Sequence, residues 1–189
     1  DSIHKLKTSL SIISSEFKAN AKGATDIEGE LFFPHGITQG GLWKVCHLKW
    51  YGDPSSDAKR LFPATVGLIQ RYSDVHLAMF SILGPRETIK PHRGPWRGSV
   101  RVHLCLSAPE DHPCIITVGG APYIYRVGEV FAFDDTYEHS VVNHGYEERV
   151  VLFLDVERKM KTAAAQRFVR FFNNTIAKLT ARAETTKNT

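Results

Sequence analysis

The chain has 189 residues, of which 42% are hydrophobic and 23% are charged, and its formal net charge is +4. This length is enough to bury one good hydrophobic core and too short for two ordinary domains. The basic residues do not form the long, aromatic-interleaved stripe of a protein that follows a phosphate backbone, so nucleic acid is not expected as a partner.

The cysteines and the apolar runs bear on the compartment. Cys46, Cys105 and Cys114 are the three cysteines, and no C-x-x-C pair occurs, which indicates neither a disulfide framework nor a thiolate zinc site. No apolar run approaches the roughly 20 residues that a membrane-spanning helix needs, and the first residues lack the apolar run of a signal peptide. We therefore expect a cytoplasmic protein, or a membrane-associated one if an anchor precedes Asp1.

The predicted elements begin with a helix and continue as short strands. Residues 2–18 predict an amphipathic helix because apolar residues recur at steps of three and four, namely Ile3, Leu6, Leu10, Ile13 and Phe17. A capping signal at residues 54–57 predicts a short helix over 54–61, followed by another helix after Pro63. Runs bounded by Gly and Pro predict strands at 41–45, 76–83, 99–106, 115–118, 123–126, 129–134, 139–143 and 149–156.

The pattern returns to helix at residues 163–182, and residues 184–189 predict a polar disordered tail. Many closely spaced short strands favour an antiparallel sandwich or barrel over a β-α-β alternation. We therefore predict one mainly-β domain over residues 1–183 with flanking helices. Its parts are an N-terminal helical segment (1–29), a β core (30–156) and a C-terminal helix (157–183).

Two arginines occupy unusual places in the predicted strands. Period-two alternation puts Arg101 and His103 on one face of the 99–106 strand, opposite a row of Val and Leu. Arg149 begins the largely apolar 149–156 strand, as expected where a guanidinium meets a buried anion. The alternative is that both arginines pair with neighbouring surface carboxylates.

Two of the nine histidines lie at loop edges beside predicted strands. His92 precedes the strand of Arg101, and His139 follows the strand that ends near Phe133. Imidazoles on neighbouring strands of a small barrel can converge on one transition metal. The other histidines are predicted to lie in surface or turn positions (His4, His35, His112 and His144) or in ordinary strand contacts (His47 and His76).

The segments that contain these residues resemble the aspartyl/asparaginyl β-hydroxylase family, nearer to its bacterial lipid A hydroxylase-like branch. Residues 92–104 resemble the H-x-G-P…R-x-H-L block of that family, and residues 133–139 resemble its second metal block. Residues 149–156 resemble its closing strand, and residues 80–83 the strand that precedes the first metal block. The resemblance covers about residues 30–156.

The resemblance implies a double-stranded β-helix, or jelly roll, with helices at both termini. It implies that His92 and His139 bind Fe(II) and that Arg149 binds the distal carboxylate of 2-oxoglutarate. The residues that it implies around the cosubstrate are Ser81, Leu83, Arg101 and His103. The implied reaction consumes 2-oxoglutarate and O₂, releases succinate and CO₂, and hydroxylates a C–H bond of an amino-acid, peptide or fatty-acyl substrate.

The usual carboxylate ligand is missing from this pattern. Sites of this kind commonly carry a carboxylate two residues after the first histidine, where this sequence has Gly94. Water at that position (as the resemblance implies), a halide (as in 2-oxoglutarate-dependent halogenases) and the absence of any metal remain as alternatives. Asp134 and Asp135 are candidates for orienting a ligand or a bound water. A non-catalytic cupin-like binding module is a further alternative, although the H-x-H pair of cupins does not occur at residues 92–94.

Two features bear on the substrate and the partners. Members of the family that act on peptides carry a second Arg at the position of Ser99, so Ser99 disfavours an acidic peptide substrate. The C-terminal segment combines an apolar stripe (Phe168, Phe172, Ile176 and Leu179) with basic residues (Arg167, Arg170, Lys178 and Arg182). Such a helix either lies on a membrane surface or packs on the barrel. No pattern indicates an oligomeric state.

Overall fold

A computed structural model describes residues 6–20, 25–26 and 36–187, with side chains described for 6–20 and 36–176. The helices are α1 (Leu10–Asn20), α2 (Ser56–Leu61), α3 (Pro63–Gln70) and α4 (Ala163–Lys187). The strands are β1 (Thr25–Asp26), β2 (Trp43–Trp50), β3 (Val75–Leu83), β4 (Thr88–His92), β5 (Ser99–Ser107), β6 (Cys114–Val118), β7 (Ala121–Ile124), β8 (Val130–Phe133), β9 (His139–Asn143) and β10 (Arg149–Glu157).

The described strands form two antiparallel sheets. The larger sheet has the order β1-β2-β3-β10-β5-β8, and the smaller has the order β4-β9-β6-β7. Strands distant in sequence are neighbours in both sheets, as expected where a chain winds around a barrel rather than forming simple hairpins. The predicted jelly roll with helices at both ends is confirmed.

The larger sheet buries a different set of side chains on each face. Leu152 and its outward-facing neighbours pack with Ile13 and Phe17 of α1 and with Ile69 of α3. The opposite face of the same strands packs on the smaller sheet through inward-facing residues such as Val151. The predicted alternation along β5 and β10 is therefore correct. Each fully buried aliphatic or aromatic side chain stabilises the fold by about 1.5–3 kcal/mol.

Several boundaries differ from the prediction. β7 begins at Ala121, two residues before the predicted start, because Gly119 and Gly120 adopt φ of +54° and +85° and form a two-residue hairpin turn. Helix α4 continues to Lys187 and so includes most of the segment predicted to be a disordered tail. No Gly or Pro occurs after residue 162 to end the helix earlier. The predicted helical residue Ile3 lies outside the described residues.

In the described ranges, no helix has both the length and the apolar character needed to cross a membrane. The three cysteines are free and buried. His112 and His144 are exposed as predicted, and His47 and His76 lie half-buried in strands.

Candidate metal and cosubstrate site

The antiparallel register of β4 and β9 places His92 directly opposite His139, and their ring centroids are 4.1 Å apart. The Nδ1 atom of His92 lies 2.8 Å from the carbonyl oxygen of Lys90, and that of His139 lies 2.9 Å from the carbonyl oxygen of Tyr137. A carbonyl oxygen only accepts, so each Nδ1 carries the proton and donates it. Each Nε2 is left with a lone pair, the form in which imidazole binds a metal.

The surroundings keep both imidazoles neutral. Burial lowers the pKa of His92, and burial together with the neighbouring His92 lowers the pKa of His139 to about 4. Within the described ranges, no group of three or more His, Cys, Asp or Glu residues could hold a metal ion. In the part of the chain that the structure describes, His92 and His139 therefore form a pair without a third such side chain, and metal binding by this pair stays a prediction.

The space beside Gly94 is occupied by the side chain of Asp135. The Gly94 N–H donates to the carbonyl oxygen of Asp135 at 2.7 Å, and a Cβ atom at Gly94 would overlap Asp135 Oδ2. Asp135 is 3% exposed, and its Oδ1 has no hydrogen-bond partner. Burial raises the pKa of Asp135, and the adjacent Arg101 opposes that shift. The Asp135 carboxylate therefore fills the space beside residue 94 and excludes any side chain at that position.

Arg149 is a buried cation at the start of β10, with 1% of its surface exposed. Its Nη1 lies 3.3 Å from both the carbonyl oxygen and the Oγ of Ser81, and its guanidinium lies 5.2 Å from the ring centroid of Tyr125. Its Nε is buried without a partner, and no described carboxylate forms a salt bridge with it. A buried guanidinium that lacks an anion is costly, so the site suits a bound carboxylate.

Polar contacts to aromatic residues fix two more side chains around Arg149. Trp43 Nε1 donates to Ser81 Oγ at 2.9 Å, and Tyr125 Oη lies 2.9 Å from His103 Nδ1. The His103 Nε2 atom is buried without a partner. Burial and the positive charge of Arg149 hold the pKa of His103 well below its ordinary value, so its imidazole is neutral.

One narrow interior cavity of about 20 Å³ connects these side chains. It is lined by Trp43, Ser81, Ile89, His92, Arg101, His103, Ile116, Phe133, His139, Val141, Arg149 and Phe153. All of the predicted site residues except Leu83 lie in this lining. Leu83 is fully buried in the adjoining core, opposite Arg149 in the β3–β10 register. Because the cavity is so small, a bound dicarboxylate would have to displace side chains or extend out of it.

Arg101 is held by two buried carboxylates. Its Nε lies 3.1 Å from Asp155 Oδ1, and its Nη2 lies 3.0 Å from Asp135 Oδ2. These two aspartates raise the pKa of Arg101 against the opposing effect of burial. The alternative that Arg101 and Arg149 pair with surface carboxylates is therefore wrong. Arg101 touches the interior cavity, but its guanidinium is already engaged.

A larger pocket of about 430 Å³ opens beside this cavity and shares His92, Arg101 and Phe153 with it. Its wall is mainly apolar and includes Trp50, Leu77, Met79, Pro95, Trp96, Phe172 and Ile176. The Trp96 ring stacks on Phe172 of α4 with centroids 4.0 Å apart. The C-terminal helix thus completes the pocket.

Sequence reasoning missed Tyr125, Trp43 and the Trp96–Phe172 contact. Tyr125 lies in the predicted 123–126 strand, and alternation alone would have placed it on the face of Tyr123. The Trp43–Ser81 and Trp96–Phe172 contacts had no signal in the sequence, because each joins segments more than 30 positions apart.

The chain matches a known protein family and several hydroxylases. The family described as Aspartyl/Asparaginyl beta-hydroxylase matches residues 6–159. The ornithine lipid ester-linked acyl 2-hydroxylase of Rhizobium tropici is 36% identical over 130 residues, which are 68% of this chain and 46% of that protein. The aspartyl/asparaginyl beta-hydroxylase of Mus musculus is 28% identical over 133 residues, or 67% of this chain and 18% of that protein. These relatives are hydroxylases, and this chain spans less than half of their length.

Among solved structures, the cupin domain of an XRE-family transcriptional regulator from Enterobacter cloacae overlaps 62% of this chain and 99% of its own, with 10% identity and a TM-score of 0.44.

Proposed function

Because the chain belongs to the aspartyl/asparaginyl β-hydroxylase family, we propose that it is an Fe(II)- and 2-oxoglutarate-dependent hydroxylase of an acyl chain. The observation that carries this proposal is the apolar pocket of about 430 Å³, which shares His92 and Arg101 with the cavity of Arg149. A substrate in the pocket would reach the histidine pair from one side, and a cosubstrate at Arg149 would reach it from the other.

His92 and His139 would hold the metal through their Nε2 atoms. Bound Fe(II), with 2-oxoglutarate and O₂, supplies the oxidation of an unactivated C–H bond. The chain orients both rings through the carbonyl oxygens of Lys90 and Tyr137. It also keeps them neutral by burial, so that no proton competes for the metal-binding lone pairs.

Arg149 would bind the distal carboxylate of 2-oxoglutarate. The Ser81 contact fixes the guanidinium, and its unpartnered Nε remains to donate to an anion. The neutral His103 adds a second buried nitrogen without a partner on the same cavity. Both unsatisfied groups would gain hydrogen bonds from a dicarboxylate, which offsets the cost of their burial.

The position of Asp135 favours hydroxylation over halogenation. Its carboxylate fills the space at Gly94, where a halogenase would need room for a halide. A negative charge there disfavours a second anion. Asp135 Oδ1, which has no hydrogen-bond partner, would also accept a hydrogen bond from a water beside Gly94.

The pocket wall favours an acyl chain over an acidic peptide. Ser99 lies buried in this wall where an arginine would meet an acidic side chain, and the Arg101 guanidinium is occupied by two aspartates. Arg93 is the other arginine of the wall, and its side chain is 66% exposed. The name of the Rhizobium tropici relative, an acyl 2-hydroxylase, supports the same substrate class.

The test is an incubation with Fe(II), 2-oxoglutarate and a panel that contains an acylated lipid, a free amino acid and an Asp-containing peptide. We expect the lipid to gain about 16 mass units, as one hydroxylation requires, with formation of succinate. The product should carry no chlorine isotope doublet at high chloride. Hydroxylation of the peptide alone would overturn the acyl assignment, and turnover without 2-oxoglutarate would overturn the cosubstrate.

A further inference from the structure

We propose that the face of α4 at the mouth of the large pocket docks on an anionic lipid bilayer, so that an acyl chain passes from the bilayer into the pocket. This inference rests on the proposed acyl substrate. It adds the surface by which the protein would approach that substrate.

Three aromatic residues of α4 carry the first argument. Phe168, Phe171 and Phe172 are 60%, 71% and 37% exposed and occupy one side of the helix at i, i+3 and i+4. Val169 and Asn173 lie on another side of the helix and are buried. A cluster of exposed rings on one side of a packed helix is typical of a surface that another apolar phase covers.

The position of this cluster carries the second argument. The Phe172 ring lines the pocket and stacks on Trp96, and the Phe168 ring lies 6.5 Å from Trp96. The backbone N–H of Arg158, which precedes α4, donates to the carbonyl oxygen of Gly98 at 2.9 Å. This hydrogen bond holds the loop that contains Trp96 beside the helix. The exposed rings therefore lie at the rim of the pocket, where a chain leaving a bilayer would enter.

The positive charge of the surface around these rings indicates that the occupant is an anionic bilayer. Residues 158–176 contain no Asp or Glu. The exposed basic residues of this segment and of the adjoining loop are Arg93, Arg97, Lys159, Lys161, Arg167 and Arg170. Among the residues that the structure describes, Glu138 pairs with Arg93 at 3.9 Å and Glu157 pairs with Arg170 at 3.1 Å, and the other four basic residues have no carboxylate partner. Basic residues around exposed aromatic rings match the head groups and the acyl boundary of an anionic bilayer.

The experiment is co-sedimentation of the full 189-residue chain with vesicles of phosphatidylcholine alone or mixed with phosphatidylglycerol. Binding to the mixed vesicles should exceed binding to the neutral ones and should weaken as salt is raised. The variant Lys161→Gln/Arg167→Gln should lose about tenfold or more in affinity, since each basic residue at the surface contributes about fivefold. The matched control Lys59→Gln/Arg60→Gln removes the same charge from α2 and should bind as the native protein does.

A second pair of variants tests the aromatic contribution. Phe168→Ser/Phe171→Ser should weaken binding to the mixed vesicles severalfold. Val127→Ser/Tyr146→Ser, which alters two residues that are 57% and 69% exposed outside the large pocket, should not. Equal binding by all variants, or no vesicle binding by the native chain, would overturn the docking surface. Self-association that is lost in the phenylalanine variant would overturn it as well, because a second copy would then cover this face.

Binding is read without turnover, so the two proposals fail separately. Hydroxylation of a short, water-soluble acyl compound without any vesicle binding would leave the proposed function standing and overturn the docking surface. Vesicle binding that responds to the variants as described, without hydroxylation of any acyl compound, would support the docking surface and overturn the function.

Discussion

The Nδ1 atoms of His92 and His139 are both engaged by backbone carbonyl oxygens, so each imidazole presents only its Nε2 to a ligand. A site with two protein ligands has none to spare. We therefore expect His92→Ala and His139→Ala each to abolish stoichiometric binding of Fe(II) or Mn(II) in calorimetry. The exposed His144 is the matched control, and His144→Ala should bind the metal normally. Full metal affinity in both site variants would refute the assignment.

Arg149 is the second residue whose role can be isolated. Removal of one partner of a buried charge pair costs about 2–5 kcal/mol, so Arg149→Ala should raise the KM for 2-oxoglutarate far more than it changes metal affinity. Arg149→Lys should recover only part of the loss, because an ammonium cannot bind a carboxylate in the bidentate geometry of a guanidinium. Steady-state kinetics at varied 2-oxoglutarate give the result. An unchanged KM in Arg149→Ala would exclude this role.

At the scale of the elements, Glu87 joins β4 to the segment that leads into β2. Its carboxylate, 1% exposed, accepts hydrogen bonds from the backbone N–H groups of Gln39, Gly40, Leu42 and Thr88 at 2.8–3.0 Å. Burial alone would raise the pKa of Glu87, but these four donors outweigh burial and lower it. This residue therefore positions the strand that ends at His92.

The lowered pKa of Glu87 gives a pH dependence with a definite sign. The ionised carboxylate stabilises the fold above its unfolded pKa of about 4.3, and that contribution is lost as the pH falls through the lower folded pKa. We expect Glu87→Gln to lower the free energy of unfolding by about 1–3 kcal/mol at pH 7, as measured in urea. The difference from the native protein should shrink as the pH falls below 4.

The exposed Glu148 is the control for this effect, since Glu148→Gln should change stability little at any pH. A Glu87→Gln deficit of the same size at pH 7 and at acid pH would mean that the charge of Glu87 contributes nothing.

Which side chains of a strand face the interior could be predicted from the sequence, whereas contacts between distant segments could not. Alternation along β5 and β10 predicted the inward side of Arg101, His103 and Arg149, because a period of two leaves one choice of face. It could not predict that Asp135 fills the space at Gly94, since that contact joins segments 41 positions apart. The ion pair of Arg101 with Asp155 depends in the same way on which strands become neighbours.

In the whole molecule, the buried polar side chains lie at different depths along the barrel. The registers of β3, β5 and β10 place Ser81 and Arg149 deep in the interior and Arg101 with Asp155 nearer the open end. The larger pocket lies at that end, and α4 covers it. The proposed anion site at Arg149 and the apolar pocket are therefore separated along one axis, and His92 lines both the cavity of Arg149 and the pocket.

Helix α4 is attached to this barrel through Glu157 at the end of β10. One oxygen of Glu157 accepts from Gln166 at 2.7 Å and from Arg170 at 3.1 Å, and the other lies 3.1 Å from His76 Nε2. The helix is thus fixed by hydrogen bonds away from the pocket. Its pocket-facing side chains are consequently open to substitution without detaching it.

Phe172 is the side chain that tests whether α4 forms a wall of the substrate site. It lines the pocket, is 37% exposed and stacks on Trp96, so Phe172→Ala should remove part of the apolar surface that a long chain covers. At about 25 cal/mol per Å² of apolar surface, we expect KM to rise roughly three- to tenfold for the longest member of a soluble acyl series. The KM for the shortest member and the KM for 2-oxoglutarate should stay unchanged. The exposed Tyr146 lies outside this pocket, so Tyr146→Ala should leave every value as in the native protein. An increase in KM that is equal for short and long chains would show that Phe172 affects the site in general and does not contact the distal part of the substrate.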